Sequence, residues 1–263
     1  MEKMTALKLQ LTQLRLNYIK QDAEQIIHQA GVEQLSLIDY SIRLLEKEIT
    51  CRRNKSIETK LKRAKLPTAH DLDHFDFTHQ NGITKDQLDQ LRELLWLDQH
   101  YNLLLMGPSG TGKSFLAAGM VYDAICKGYS ALFRTAQQLI DVLKLKDITR
   151  SAIADYKRIC SCHLLVIDDL MMMPMDQQLA NQLFHLINHL HNKASVIVTT
   201  NKSPQQWTEV LKDEVLATAI LDRLLYRCQL LKLTGESYRM KHRSPIFSNQ
   251  NPSPSAKGDG ILN

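Results

Sequence analysis

Eight consecutive residues near the middle of the chain have the spacing of a phosphate-binding loop. They fit the pattern G-x-x-x-x-G-K-[ST]. Glycines let backbone N–H groups turn toward phosphate oxygens, the lysine reaches the outer phosphates, and the final hydroxyl completes a magnesium shell. The segment therefore predicts a site for a nucleoside triphosphate and Mg²⁺. Its residues are Gly107, Pro108, Ser109, Gly110, Thr111, Gly112, Lys113 and Ser114.

Two carboxylates further along the chain fit the same chemistry. Asp168 and Asp169 come directly after the apolar residues 164–167. A carboxylate at the carboxyl end of a strand beside the loop can hold the water shell of Mg²⁺, and we assign this role to Asp168 together with Ser114. Asp169 is then placed to polarise the attacking water. The acidic pair favours hydrolysis over phosphoryl transfer to a bound small molecule.

An amide side chain completes this set of polar residues. Asn201 follows the apolar and threonine-containing run at residues 195–200. If that run is a strand beside the one before the phosphate loop, the amide would face the terminal phosphate and help to position the water. The alternative is a turn-forming asparagine ahead of Lys202-Ser203-Pro204.

These residues need a sheet to bring them together, and the sequence predicts one. Short apolar runs alternate with segments of helical periodicity, which is typical of a parallel sheet covered by helices on both faces. We therefore expect an α/β domain with five parallel strands and, after the last strand, too few ordered residues for a separate C-terminal lid. The predicted strands are residues 102–106, 130–134, 164–169, 195–201 and 229–233.

The N-terminal part of the chain has helical spacing only. Leucines and isoleucines predict one helix over residues 3–30, and Ser36 is a candidate cap for a second helix. The second helix has an apolar face and should end near Pro67, which cannot continue it. We predict a small all-α domain at this end. The residues of the apolar face are Ile38, Ile42, Leu45 and Ile49.

The predicted domain organisation follows from these patterns. Residues 1–66 form a helical domain that binds DNA or a protein partner, and residues 67–100 form a linker with a lead-in helix over 84–100. Residues 101–243 form the nucleotide-binding domain. Residues 244–263 are rich in Ser, Pro, Asn and Gly, a composition typical of a disordered tail.

A run of positive charge lies near the end of the second predicted helix. Residues 51–65 contain seven lysines and arginines against a single acid, Glu58. Such a surface can bind a phosphate backbone without regard to base sequence, and the alternative is a solvated helix face. The candidate DNA contacts are Arg52, Arg53, Lys55, Lys60, Lys62 and Arg63.

The composition bounds the class of protein. The formal net charge is +5, which makes a polyanionic partner plausible without requiring one. The five cysteines are scattered and show no C-x-x-C spacing, which favours reduced thiols over a disulfide framework or a zinc site. No apolar run approaches the length of a membrane span. We therefore expect a cytoplasmic protein without membrane contact.

The order of the motifs resembles that of the IstB-like helper ATPases of insertion sequences. These are kin of the DnaC-type helicase loaders within the AAA+ ATPases. The resemblance rests on GPSGTGKS, LLVIDDL, VIVTTN, AILDRLL and GESYR, together with the leucine-rich N-terminal helices and the basic stretch. It covers roughly residues 5–245. The pairing of AILDRLL with GESYR is more specific than the loop and the acidic motif, which many ATPases share.

The resemblance implies an AAA+ fold and an oligomer that hydrolyses ATP to ADP and phosphate with Mg²⁺. It implies assembly on double-stranded DNA in support of a DDE transposase of the same element. By position, Asn201 resembles the first sensor, Arg223 the arginine finger supplied to an adjacent subunit, and Arg239 the second sensor. The chain departs from the family at Met171, where glycine is usual, and at Leu190-His191, where Arg-Tyr is usual.

Three other functions share part of this pattern. A DnaC-like replicative helicase loader would use the same ATPase residues with a different protein partner. A small-molecule kinase would need a substrate-binding lid and would have no use for Arg223 and Arg239. A DNA scaffold that binds ATP and turns it over poorly would keep the loop and the acidic pair.

Overall fold

The computed structural model of the chain describes residues 2–78, 80–172 and 174–241. The predicted tail at residues 244–263 lies outside this part of the chain. Among the helices in these ranges, none has both the length and the apolar character of a membrane span.

A five-stranded parallel sheet lies at the centre of the fold, in the order β3-β4-β5-β2-β6. All five predicted strands are confirmed, each with its bounds within one residue. A separate antiparallel ribbon joins β1 (Gln80–Asn81) to β7 (Thr234–Gly235). The central strands are β2 (Asn102–Met106), β3 (Ala131–Thr135), β4 (Leu164–Asp168), β5 (Ser195–Thr200) and β6 (Cys228–Lys232).

Helices cover both faces of the sheet, as the alternation predicts. Successive strand residues point to opposite faces, so that Leu104 and Ile167 pack in one apolar core while Leu103 and Val166 pack in the other. The first core is closed by helices α7, α9 and α11 and the second mainly by α6. The helices are α6 (Lys113–Cys126), α7 (Ala136–Leu145), α8 (Arg150–Cys160), α9 (Gln177–Leu190), α10 (Gln206–Leu211), α11 (Glu214–Leu225) and α12 (Tyr238–Lys241).

The N-terminal helices differ from the prediction in one respect. The single helix expected over residues 3–30 is two helices, α1 (Glu2–Gln13) and α2 (Asn17–Val32), because the chain reverses at Arg15, whose φ is 57°. Leu11 and Ile19 can then pack against each other in a small core of their own. The third helix, α3 (Leu37–Ala64), begins as predicted, with Ser36 Oγ accepting the N–H of Asp39.

Helix α3 ends at Ala64, and Lys65 takes a left-handed conformation before Pro67. The predicted apolar face of this helix is not buried, and its residues are 50–72% exposed. Its C-terminal half instead packs on the main domain, with Ala64 fully buried and Ile57 and Leu61 against the same core.

The lead-in helix predicted over residues 84–100 is also broken in two. Helix α4 (Lys85–Arg92) starts with a capping box between Thr84 and Gln87, and α5 (Leu95–Asp98) follows it. Between them Leu94 has a φ of 62° and is almost fully buried. Burial of this side chain in the core therefore outweighs the continuous helical pattern.

Candidate nucleotide-binding site

The phosphate loop joins the end of β2 to the start of α6, as predicted. Gly107, Gly110 and Gly112 have φ values of 146°, 85° and 91°, which residues with a side chain rarely adopt. Lys113 is the first residue of α6. The free N–H groups and the positive dipole end of this helix therefore face the space that the loop encloses, where an anion is favoured.

Lys113 is held inside the loop by its own backbone. Its Nζ donates to the carbonyl oxygens of Gly107 at 2.8 Å and Pro108 at 2.7 Å. Burial lowers the pKa of this ammonium, while the carboxylates of Asp169 and Asp168 act to raise it. Both acceptors are neutral carbonyls, so the charge of Lys113 suits a phosphate at this position.

Asp168, at the end of β4, is the buried acid of the site. Thr199 Oγ1 on β5 donates to its Oδ1 at 2.6 Å. Burial raises the pKa of this carboxyl, and hydrogen bonds from Thr199 and Ser114 act to lower it. The hydrogen bond with Ser114 shows that the two residues expected to hold Mg²⁺ lie together, which fits an ion with oxygen ligands.

Thr199 was not singled out in the sequence, yet it connects both acids. Its Oγ1 also accepts the backbone N–H of Asp169 at 2.9 Å. β4 is not adjacent to β2, because β5 lies between them. A hydroxyl on this intervening strand therefore joins both acids to β5, the strand that lies next to β2 and the loop. Its signal in the sequence was a threonine pair at the carboxyl end of an apolar strand.

The backbone at the acidic pair has unusual conformations. Asp169 is exposed and has a φ of 56°, and Met171 has a φ of 67°. The glycine that the IstB-like pattern usually carries at position 171 would adopt this conformation without strain. Here Met171 adopts it and buries its side chain completely in the core. Apolar burial thus offsets a conformation that is unfavourable for methionine.

Asn201 lies beside the loop. Its expected role required that the strand before it, β5, lie next to β2, and the two strands are neighbours. β5 pairs with β2 in parallel, with Thr200 opposite Met106. The N–H of Gly107 donates to the carbonyl of Thr200 at 3.3 Å. Asn201 follows directly and is exposed at this edge of the sheet.

The segment after β6 closes over the phosphate loop. The N–H of Tyr238 donates to the carbonyl of Gly110 at 3.1 Å, and a Cβ on Gly110 would lie only 2.1 Å from Ser237 Oγ. Arg239, on α12, lies close enough to Lys113 to lower the pKa of that lysine. The structure therefore brings Arg239 to its own subunit's loop. The close approach of Ser237 explains why residue 110 must be glycine.

The linker supplies the opposite wall of the site. Phe75 is buried beside Gly112, whose added Cβ would lie 3.3 Å from Phe75 Cε2. Phe75 stacks on Phe115, with centroids 6.1 Å apart, and meets the edge of Phe77 at 5.0 Å. The linker is thus packed against the core through Phe75 and Phe77.

Arg223 is not part of this site. It is on α11, where its Nε donates to Asn188 Oδ1 at 2.7 Å and its guanidinium lies 4.7 Å from the ring centroid of Phe184. The next residue, Leu224, accepts a hydrogen bond from Asn102, the first residue of β2. The phosphate loop follows the other end of that strand. At about 3.3 Å per residue, the two ends of β2 are roughly 13 Å apart.

Several of the candidate DNA-binding residues have partners within the chain. Arg52 pairs with Glu48 at 2.8 Å and donates to the carbonyl of Arg15 at 2.6 Å. Arg53 and Lys60 donate to carbonyl groups at the end of α6. Lys55 and Lys62 both pair with Glu58. Arg63 is exposed, and its carbonyl accepts a hydrogen bond from the buried Arg134.

Comparison with known proteins identifies the family. Residues 9–245 match the family described as IstB-like ATP binding protein. A Bacteroides fragilis protein named as an ATP-binding protein of an IS21-like insertion sequence is 44% identical over 238 residues, covering 90% of each chain. A Pseudomonas aeruginosa protein with the corresponding name for IS21 is 33% identical over 240 residues, covering 91% of each chain.

Solved structures agree on the fold. DnaI matches with a TM-score of 0.53 at 20% identity, covering 62% of this chain and 90% of that one. DnaA from Aquifex aeolicus bound to AMPPCP matches with a TM-score of 0.51 at 19% identity, covering 64% of this chain and 51% of that one. The α/β fold is therefore that of an AAA+ phosphate-loop protein. By its sequence match over residues 9–245 and its nearly full-length relatives, the chain belongs to the IstB-like ATP-binding proteins of insertion sequences.

Proposed function

We propose that this protein is an ATP-hydrolysing helper of DNA transposition, which assembles on double-stranded DNA and directs the transposase of its own element. The observation that carries the proposal is the convergence of Lys113, Ser114, Asp168 and Asp169 at one edge of the sheet. This set can bind a triphosphate and activate water. Relatives of nearly the same length are named as ATP-binding proteins of insertion sequences, which supports the biological setting.

Each residue of the site has a distinct task in hydrolysis. Lys113 and the N–H groups of the loop bind the outer phosphates, and Arg239 adds charge from the segment that closes over the loop. Ser114 and Asp168 would hold Mg²⁺, which when bound offsets the charge of the phosphates. Asp169 is exposed next to this pair and accepts hydrogen bonding from the attacking water, with Asn201 positioning that water from β5.

The proposed assembly gives Arg223 a role that it cannot have within its own subunit. It lies on α11 beside the start of β2, at the end of the sheet opposite the loop, which is too far for it to reach the nucleotide on the same chain. A neighbouring copy packed with its loop against this end of the sheet would receive the guanidinium at its terminal phosphate. An arginine supplied in this way accelerates hydrolysis by about 10³- to 10⁵-fold.

The test is DNA binding in different nucleotide states. With a double-stranded fragment and Mg²⁺, we expect tight binding with ATP and weak binding with ADP, measured by fluorescence anisotropy. Lys113→Ala should bind DNA weakly in both states, because it cannot hold the triphosphate. Asp169→Asn should bind ATP, hydrolyse it slowly and remain on DNA. Nucleotide-independent DNA binding, together with equal hydrolysis by Asp169→Asn and wild type, would refute the proposal.

A further inference from the structure

Two distant segments of the chain pair beside the phosphate loop and form the antiparallel ribbon β1–β7. Gln80 pairs with Gly235 and Asn81 with Thr234, so the linker ahead of α4 is hydrogen-bonded to the segment that follows β6. A two-stranded ribbon on its own is only marginally stable in water. The stability of this ribbon therefore depends on what its two segments contact.

The segment after β6 contacts both the linker and the phosphate loop. A Cβ on Gly82 of the linker would lie only 1.9 Å from the carbonyl oxygen of Lys232. A Cβ on Gly107 of the loop would lie 1.9 Å from the carbonyl oxygen of Leu233, whose N–H donates to the carbonyl of Met106 at 2.8 Å. Two backbones can approach this closely only where one residue is glycine. The linker and the loop therefore meet on the same short segment.

Buried side chains fix the inner end of the ribbon but not its outer end. Ile83, Leu231 and Leu233 are buried in the core that α6 covers. Thr234 and Gly235 are exposed. Backbone pairing, rather than apolar burial, therefore holds the outer end of the ribbon in place.

Arg239 lies on the part of the chain that directly follows the ribbon. The carbonyl of Ser237 accepts N–H groups of α12, and the side chain of the same residue packs over Gly110. Burial lowers the pKa of Lys113, and the nearby charge of Arg239 acts in the same direction, so the two cations lie close together. The four-residue helix α12 has no buried residue. The position of Arg239 therefore depends on the loop and on the ribbon.

We infer that the β1–β7 ribbon takes the place of a lid: it positions Arg239 at the terminal phosphate of ATP, and bound ATP in turn stabilises the ribbon. The inference rests on the proposed ATP site and adds to it the linker, with Gly82 as a positioning residue. If the paired ribbon improves ATP binding by some factor, ATP must favour the paired ribbon by the same factor. ADP lacks the phosphate that Arg239 would meet, so the linker distinguishes the two nucleotides.

Amide hydrogen exchange of the wild-type protein tests this coupling without a substitution. With Mg²⁺ and a saturating non-hydrolysable ATP analogue, the amides of residues 80–82 and 234–235 should exchange about 10-fold more slowly than with ADP. The same comparison in Arg239→Ala should show no difference between the nucleotides. Equal exchange of the wild-type ribbon with both nucleotides would overturn the inference.

Gly82→Ala is the variant that should separate the ribbon. Its Cβ would meet the backbone oxygen of Lys232, which cannot move aside as a flexible side chain could. Gly128→Ala is the matched control, because Gly128 also has a positive φ, of 101°, but a Cβ there meets nothing within 4 Å. We expect Gly82→Ala to bind the ATP analogue roughly 10- to 100-fold more weakly, the range for a lost hydrogen bond to a charged group, and to bind ADP as wild type does. Gly128→Ala should bind both nucleotides as wild type does.

A double variant shows whether Gly82 acts through Arg239. Arg239→Ala should weaken binding of the ATP analogue by a similar factor, and adding Gly82→Ala should have little further effect, because both changes remove the same contact. Additive losses, or an equal loss of ADP binding in Gly82→Ala, would mean general damage to the loop and would overturn the inference. Unchanged binding by Arg239→Ala would overturn the role of Arg239 in the proposed site, and the inference with it.

Discussion

At the scale of single residues, the site depends on a hydroxyl between two carboxylates. Thr199 donates to Asp168 and accepts the N–H of Asp169, so one oxygen sets the position of both acids. Burial raises the pKa of Asp168, so the ionised form that binds Mg²⁺ needs such hydrogen bonds for support. Thr199 is therefore a positioning residue whose removal should weaken metal use without touching the phosphate loop.

This role can be tested with two substitutions of similar size. Thr199→Val removes the oxygen and keeps the shape, and we expect Mg²⁺-dependent hydrolysis to fall by roughly 10- to 100-fold, as for other residues that orient metal ligands. Thr199→Ser retains the oxygen and should keep most of the activity. The measurement is the hydrolysis rate as a function of Mg²⁺ concentration. Identical curves for Thr199→Val and wild type would remove Thr199 from this role.

At the scale of elements, a buried carboxylate joins the second and third helices. Glu48 on α3 is 3% exposed and accepts the N–H groups of Tyr18 and Ile19 through Oε2, at the start of α2. Arg52 pairs with its other oxygen. Burial acts to raise the pKa of Glu48, but the hydrogen bonds from Ile19, Arg52 and Tyr18 outweigh it, and the pKa is lowered. The start of α2 is thus fixed to α3 through this ionised group.

Substitution of Glu48 should destabilise these helices in a pH-dependent way. Glu48→Ala leaves two N–H groups at the start of α2 unsatisfied and should cost about 1–3 kcal/mol of unfolding free energy at neutral pH. Because the folded pKa is lowered, this stabilisation is present above the unfolded pKa of about 4.3 and is lost as the pH falls through the folded value. The wild-type and variant unfolding curves should therefore approach each other in acid. If the difference in unfolding free energy between wild type and Glu48→Ala stayed constant from about pH 3 to about pH 7, this expectation would be wrong.

A buried arginine holds α3 to the sheet at its other end. Arg134 of β3 is fully buried and donates to the carbonyl groups of Ala64 and Arg63 in the last turn of α3. It pairs with Asp155 of α8 at 2.6 Å, and Lys65 pairs with the same acid at 3.2 Å. Burial and these cations act in opposite directions on the pKa of Asp155, which is lowered overall. The last turn of α3 is therefore fixed to both β3 and α8.

At the scale of the whole molecule, the packing of α3 against β3, α6 and α8 divides two pairs of basic residues in residues 51–65 into separate groups. Arg53 and Lys60 contact carbonyl groups at the end of α6 and connect α3 to the nucleotide-binding domain. Lys62, which pairs only with the exposed Glu58 among the described residues, and Arg63 lie exposed near the end of the same helix. The charges that can meet DNA are therefore fewer than the composition of the stretch indicates, and those of the second group are the stronger candidates.

The two pairs can be compared as double variants with the same change in net charge. Lys62→Ala with Arg63→Ala should reduce the salt slope of DNA binding by about 0.9 per lost phosphate contact and leave the melting temperature unchanged. Arg53→Ala with Lys60→Ala should lower the melting temperature and change the slope less. DNA binding at several salt concentrations and thermal unfolding give both readouts. An unchanged slope in the first variant would assign Lys62 and Arg63 to a solvated face.

The sequence predicted the features that depend on neighbouring residues. The phosphate loop requires glycines at fixed spacing because its backbone has positive φ angles, and these appear at Gly107, Gly110 and Gly112. The strands could be predicted because short apolar runs are what a sheet buried on both faces needs. The polar residues at the strand ends then lie at one edge, because all five strands are parallel.

Helix continuity was less predictable. Leucine spacing continues through Arg15 and Leu94, yet the chain turns at both residues. At Arg15 the reversal lets α1 pack on α2, and at Leu94 it buries a side chain in the core. Helical periodicity records which residues are apolar but not whether one long helix or two short ones will bury them. The same limit applies to the apolar face of α3, which is exposed in the structure. Helical spacing predicts that this face is apolar but does not show which segment covers it.

By itself the sequence determined the family, the phosphate loop and the sheet, because motifs and apolar runs are properties of adjacent residues. Only the tertiary structure decided how distant segments meet: Thr199 between the acids, Ser237 against Gly110, and Arg134 against the last turn of α3. These contacts depend on strand order and on where each helix ends. The physical reason is that contacts between distant segments are set by packing of the whole core, which no local pattern contains.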